Sequence, residues 1–193
     1  MRKSLRRFSA FMIDVLLICL LLMIVYYFVP AKDTTDISKN ITKLTEQLLN
    51  SEIGHINFLN GFSKNIYLLD SGRAIFNAFN TLIIMLYFII VPIITKGYTL
   101  GMYISGIKLS GKINVKSMLL RNVIATGLLY LLASVVLVYT TKDTLYFVLL
   151  SIFGIIQFLL VIISAFMIIY RKDHEGIQDK ISKTKVVLAK EVK

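Results

Sequence analysis

The chain has 193 residues, 56% of them hydrophobic and only 17% charged, with a formal net charge of +11. Soluble domains carry roughly 25% charged residues, so the composition points to a polytopic membrane protein and excludes an ordinary soluble domain. The lysines and arginines flank apolar runs instead of forming a basic domain, which assigns the charge to topology and anionic headgroups and excludes nucleic acid as a partner. Cys19 is the only cysteine, so no disulfide forms within the chain. His55 and His174 lie far apart, so the spacing of a zinc site is missing, and neither a metal nor a cofactor is expected.

The first apolar run, residues 6–28, is long enough to cross the ~30 Å hydrocarbon layer and carries one carboxylate, Asp14. Arg6 and Arg7 open it, ahead of its apolar part. It lacks an A-x-A-like cleavage site, so it reads as a retained span of about 8–29. An ionisable group at that depth costs at least ~2.5 kcal/mol and calls for a partner or a cavity. Three further runs follow at about 74–95, 118–139 and 145–170. Pro92 ends or kinks the second run, because it removes a backbone donor. The expected architecture is an all-α membrane protein, a four-transmembrane-helix bundle forming a single domain over residues 1–193.

Basic residues fix its orientation. Four precede the first run, five lie between residue 96 and Arg121 with no acid among them, and seven follow from Arg171. The opposite side has five in residues 30–73, matched by five acids, plus Lys142 beside Asp143. The positive-inside tendency therefore places both termini in the cytoplasm.

The external segment, 30–73, contains Ile37, Ile41, Leu44 and Leu48 at helical spacing, with Lys39, Lys43 and Glu46 on other faces. Two readings fit it: an amphipathic helix lying on the headgroups, or a contact surface or lid. The cytoplasmic segment 96–117 is broken by Gly97, Gly101, Gly106 and Gly111. Ile107/Leu109 and Ile113/Val115 alternate around Ser110-Gly111-Lys112, which suggests a short hairpin. The tail 171–193 contains another β-prone run at 183–190. A two-stranded hairpin is marginal alone, so tail and hairpin are expected to join as a small cytoplasmic β element, with Asp179 accepting from Arg7, Arg121 or backbone N–H groups. A solvated basic tail on anionic headgroups is the competing reading.

These pieces resemble the RDD family of bacterial membrane proteins. Arg7, Ala10 and Asp14 match its R-x-x-A-x-x-I-D signature. Gly97, Thr99 and Gly101 match G-x-T-x-G, followed by Gly106-Ile107-Lys108-Leu109. Arg121-Asn122 matches an R-N pair, and Asp179 with Thr184 matches the last element. Leu100, Met102 and Gln178 depart from residues usual in the family, Gln178 from a histidine. The resemblance implies a bacterial cell membrane, and either an accessory role toward other membrane proteins or monovalent cation/proton transport.

The charge cluster singled out is Arg7, Asp14, Arg121 and Asp179, with an Asp14–Arg121 pair across the bundle and Arg7 either near that pair or engaging Asp179 at the surface. It is read either as a lock on the bundle or as a functional site. Gln157 and Ser164 are expected to make interhelical hydrogen bonds. Neither G-x-S-x-G, H-E-x-x-H nor a second intramembrane acid occurs, so no enzyme is expected. The favoured expectation is an accessory or regulatory partner of another membrane protein or peptide, with a homo-oligomer left open. The alternative is a small cation/proton transporter using Asp14.

Overall fold

The computed structural model describes residues 3–29 and 33–189. The junction 30–32 and the basic residues Arg2, Lys190 and Lys193 lie outside the described residues. The fold is mostly helical. Among the described residues, three helical stretches are long and apolar enough to cross a bilayer: α1 (Lys3–Phe28), the stretch Ala74–Ile94, and α9 (Asp143–Tyr170). Their outward faces carry large apolar side chains, including Leu16, Leu20, Phe158 and Phe166, where hydrocarbon rather than water is the suitable solvent.

The third expected run departs from a straight span. It divides into α7 (Val115–Ala125) and α8 (Leu128–Thr140), bent by 90°. Gly127 sits between them at φ +74°, a left-handed conformation that favours glycine, and it ends the α7 ladder. The carbonyl of Ile124 then lacks a helical donor, and Gln157 Nε2 from α9 supplies one at 3.0 Å. Counted as one bent span, the pair would bring the total to four.

The segment before Ala74 is more structured than its sequence suggests. It forms two helices, α2 (Thr35–Leu49) and α3 (His55–Gly72), where one was expected. Ile37, Ile41, Leu44 and Leu48 do share a face, each half-buried. That face packs on α3, with Leu44 against Gly61, rather than lying free for headgroups. In turn α3 packs along α9, where the Tyr146 hydroxyl donates to Asp70 at 2.8 Å.

The stretch Ala74–Ile94 is irregular near its end. Helix α4 (Ala74–Met85) passes into a π-helical turn (Leu86–Ile90) and then into α5 (Val91–Ile94). Pro92 has no N–H for the Phe88 carbonyl four residues back, and its ring crowds that oxygen. Inside the turn, the Val91 N–H reaches back five residues to Leu86. The Phe88 carbonyl instead accepts from Asn122 Nδ2 at 2.8 Å, which ties α7 to the turn. Asn122→Leu should therefore leave a half-buried carbonyl unpaired and lower stability by about 1–2 kcal/mol, read by thermal unfolding in detergent. A change below the error of that measurement would mean the contact is dispensable.

At the end of the bundle where α1 begins lies a small cap. It contains α6 (Leu100–Ile104), β1 (Ile107–Gly111), α10 (Ile177–Ser182) and β2 (Thr184–Leu188). The expected hairpin within 96–117 is not formed. Instead β1 pairs antiparallel with β2, with Ile107 opposite Leu188 and Leu109 opposite Val186. Asn114 is the reason the chain turns away: its side chain accepts from Ser117 N–H at 2.9 Å and caps α7, so Val115 begins a helix. Ile107, Leu109 and Val186 point inward, where Ala10, Ile89, Met118 and Leu128 complete one core. A second core of Ala74, Val138, Tyr146 and Leu150 joins α4, α8 and α9.

Candidate functional site

The expected charge cluster resolves into two separate networks. The first is centred on Asp14, which is 2% exposed. Its Oδ1 accepts from the Tyr87 hydroxyl at 2.5 Å and from the Gly101 N–H at 2.8 Å. Its Oδ2 accepts from the Thr99 hydroxyl at 2.6 Å. Thr99 Oγ1 also accepts from Met102 N–H at 3.2 Å, capping α6, and Tyr87 Oη accepts from Leu100 N–H at 3.2 Å. One carboxylate thus joins α1, the π-helical turn and α6.

Small residues on both elements explain why α6 can come so close. Ala10 and Asp14 are one helical turn apart on α1, and Gly101 packs on both. A methyl group at Gly101 would collide with the Ala10 carbonyl oxygen. Ala10 and Gly101, two small residues of the matched motifs, therefore set the depth at which the Gly101 N–H meets Asp14.

The second network is centred on Asp179, whose side chain is fully enclosed. Arg7 Nη2 donates to Oδ2 at 2.6 Å, Arg121 Nη1 donates to Oδ1, and Gly176 N–H donates to Oδ2 at 2.8 Å. Arg7 Nη1 also donates to the His174 carbonyl at 2.6 Å, and Arg121 Nη1 reaches Thr184 Oγ1 at 3.0 Å. Burial by itself raises the Asp179 pKa, but the Arg121 and Arg7 charges and hydrogen bonds outweigh it and hold the carboxyl below its usual range.

The expected Asp14–Arg121 pair is therefore not made. Helix α10 packs against α7 and brings Asp179 to the Arg121 guanidinium, while neutral donors engage both oxygens of Asp14. Both arginines meet on Asp179, and the backbone donor expected there is Gly176.

The remaining motif positions are framework. The Gly97 carbonyl accepts from Leu109 N–H at 2.8 Å, and the Gly106 carbonyl accepts from Ala189 N–H at 3.0 Å, so both glycines border β1. Asn122 bridges to Phe88, and Thr184 joins Ser182 and Arg121. Ser164 donates to Gln178 Oε1, which ties α9 to α10. Tyr87 was not singled out in the sequence. Its signal was a hydroxyl inside an apolar run, which needs a partner when buried.

Between α1, α7, α9 and the cap lies a cleft of about 470 Å³. Its wall is mostly apolar, and Arg7, Asp14, Arg121 and Gln178 reach it. Groups of three or more histidine, cysteine or acidic side chains placed to hold a metal ion do not occur among the described residues.

A family model described as RDD family matches residues 2–183, nearly the whole chain. Comparison with curated proteins and with solved structures gives no match. With the family match covering Arg7, Asp14, Arg121 and Asp179, the residues that build both buried networks, the chain belongs to the RDD family.

Proposed function

We propose that this membrane protein is a multi-pass, four-span accessory or regulatory partner of another membrane protein in a bacterial cell membrane, with both termini cytoplasmic and no catalysis of its own. The observation that carries the reading is that both buried carboxylates are held by fixed donors within the fold: Asp14 by three neutral groups, Asp179 by two guanidiniums and an amide. Such groups act as locks between elements, and a lock fixes a surface for another protein to bind. The α2–α3 pair supports the same reading. Its apolar stripe is turned inward, and Asp36, Lys39, Lys43 and Glu46 remain exposed as a polar contact face. The four-span count treats α7 and α8 as one bent span, and the basic residues at the α1 end of the bundle favour the cytoplasmic side.

The test is co-purification from native membranes in mild detergent. A stoichiometric membrane partner that is lost when Lys39, Lys43 and Glu46 are changed to alanine is the expected result. A protein that purifies alone and conducts ions in vesicles would overturn it.

Cation/proton exchange is the second reading, favoured by one feature: Asp14 reaches the cleft without a cationic partner in its network among the described residues. Flux through wild type and Asp14→Asn in proteoliposomes decides it. Under the accessory reading neither protein transports, whereas transport by wild type lost in Asp14→Asn would establish exchange.

A further inference from the structure

The cleft has a polar end and an apolar length. At the polar end Arg121, 6% exposed, uses only Nη1, toward Asp179 and Thr184. Its Nε and Nη2 have no hydrogen-bond partner among the described residues, and the side chain lines the cleft. Asp179 neutralises one of the two guanidiniums it touches, so these three residues carry one net positive charge, with Glu175 acting on the Arg7 side and the unused donors on Arg121. A buried guanidinium with open N–H groups matches an oxyanion.

Beyond that point the wall is formed by Phe11 of α1, Ile124 and Ala125 of α7, and Val161 and Ala165 of α9. Asp14 reaches the wall seven residues past Arg7, about 10 Å along α1, with its oxygens already engaged. The cleft volume lies within the ~300–1,000 Å³ range of small-molecule sites.

We propose that this cleft is a binding site for one anionic phospholipid of the surrounding bilayer. The phosphate accepts from Arg121 Nε and Nη2, and one acyl chain lies between α1 and α9. The site requires only that these helices lie in a bilayer, and it is independent of whether the protein acts on a partner.

The experiment uses the full chain purified in detergent, titrated with phosphatidylglycerol, phosphatidylcholine and oleate, with binding read by native mass spectrometry and by thermal stabilisation. Both headgroups offer the phosphate, but the choline cation of phosphatidylcholine is repelled by the guanidiniums, so phosphatidylglycerol should bind about tenfold tighter than phosphatidylcholine. Ala165→Trp, which fills the cleft and leaves every basic residue in place, should abolish that preference. Val161→Trp, at a position 42% exposed, makes the same test if Ala165→Trp fails to fold. Equal binding of the two phospholipids would overturn the proposal. So would a preference that survives the filled cleft, because it would then reside in the exposed lysines. Oleate binding as tightly as phosphatidylglycerol would assign the cleft to a free fatty acid and overturn the phospholipid as its occupant.

Discussion

Asp179→Ala is expected to destabilise the protein by about 3–5 kcal/mol, because it leaves two buried guanidiniums without their shared carboxylate. Arg7 and Arg121 have side chains only 9% and 8% exposed, so water cannot replace what is lost. Asp179→Asn keeps an acceptor for Gly176 and should cost less. Adding Arg121→Leu to Asp179→Ala should recover part of the loss, since it removes one of the stranded charges. The pH dependence follows from the lowered pKa of Asp179. A carboxyl whose folded pKa is below its unfolded value, ~3.9, contributes stability that is complete above that value. The contribution is lost only as pH falls through the lower, folded pKa. Thermal unfolding of wild type and Asp179→Asn should therefore differ by a constant amount from neutral pH down to about 5, then converge in stronger acid. A gap below ~1 kcal/mol at neutral pH would show that the network does not hold the cap.

How much of this was legible in the sequence depended on the range of the contact. Local periodicity placed Ile37, Ile41, Leu44 and Leu48 on one face, as found, but said nothing of what that face meets. Helix α3 was hidden because Asn57, Asn60, Gly61, Ser63 and Lys64 interrupt its apolar pattern; its packing on α9 makes it a helix. The strand at Ile107 was visible from alternation, and so was the tail run that pairs with it, whereas the second hairpin strand expected at Ile113 and Val115 is not formed, since Asn114 redirects the chain into α7. Gly127 was visible as a glycine, but an isolated glycine does not reveal a 90° bend until Gln157 accounts for the freed carbonyl. The charges followed the same rule. Asp179 was placed with the arginines because cap and bundle share an end. Asp14 was assigned a cation because opposite charge is the partner a sequence displays. Its actual partners are a tyrosine hydroxyl, a threonine hydroxyl and a glycine amide, none of which announces itself as a counterpart to a carboxylate.

Gly101→Ala is expected to cost on the order of 3 kcal/mol or more, out of proportion to the addition of one methyl group. Overpacking alone typically costs ~1–3 kcal/mol, and a hydrogen bond to a charged group contributes ~1.5–3 kcal/mol. Both are lost together here, because the obstacle is the backbone oxygen of Ala10 and α6 must move away from α1 to clear it. Movement of α6 withdraws the Gly101 N–H from Asp14 and carries the Thr99 cap with it. Two controls separate this account from a general intolerance of the site. Ala10→Gly should not rescue Gly101→Ala, since removing the Ala10 side chain leaves its carbonyl in place. Asp14→Ala should be costly alone, because it strands the Tyr87 and Thr99 hydroxyls and the Gly101 amide. In a protein that already carries Gly101→Ala it should add much less, because residues in one network are not additive. Thermal unfolding of the two single variants and the double variant measures that coupling. Losses that simply add would mean that α6 does not move and that Asp14 keeps its donors after the substitution, against the close approach argued from Gly101.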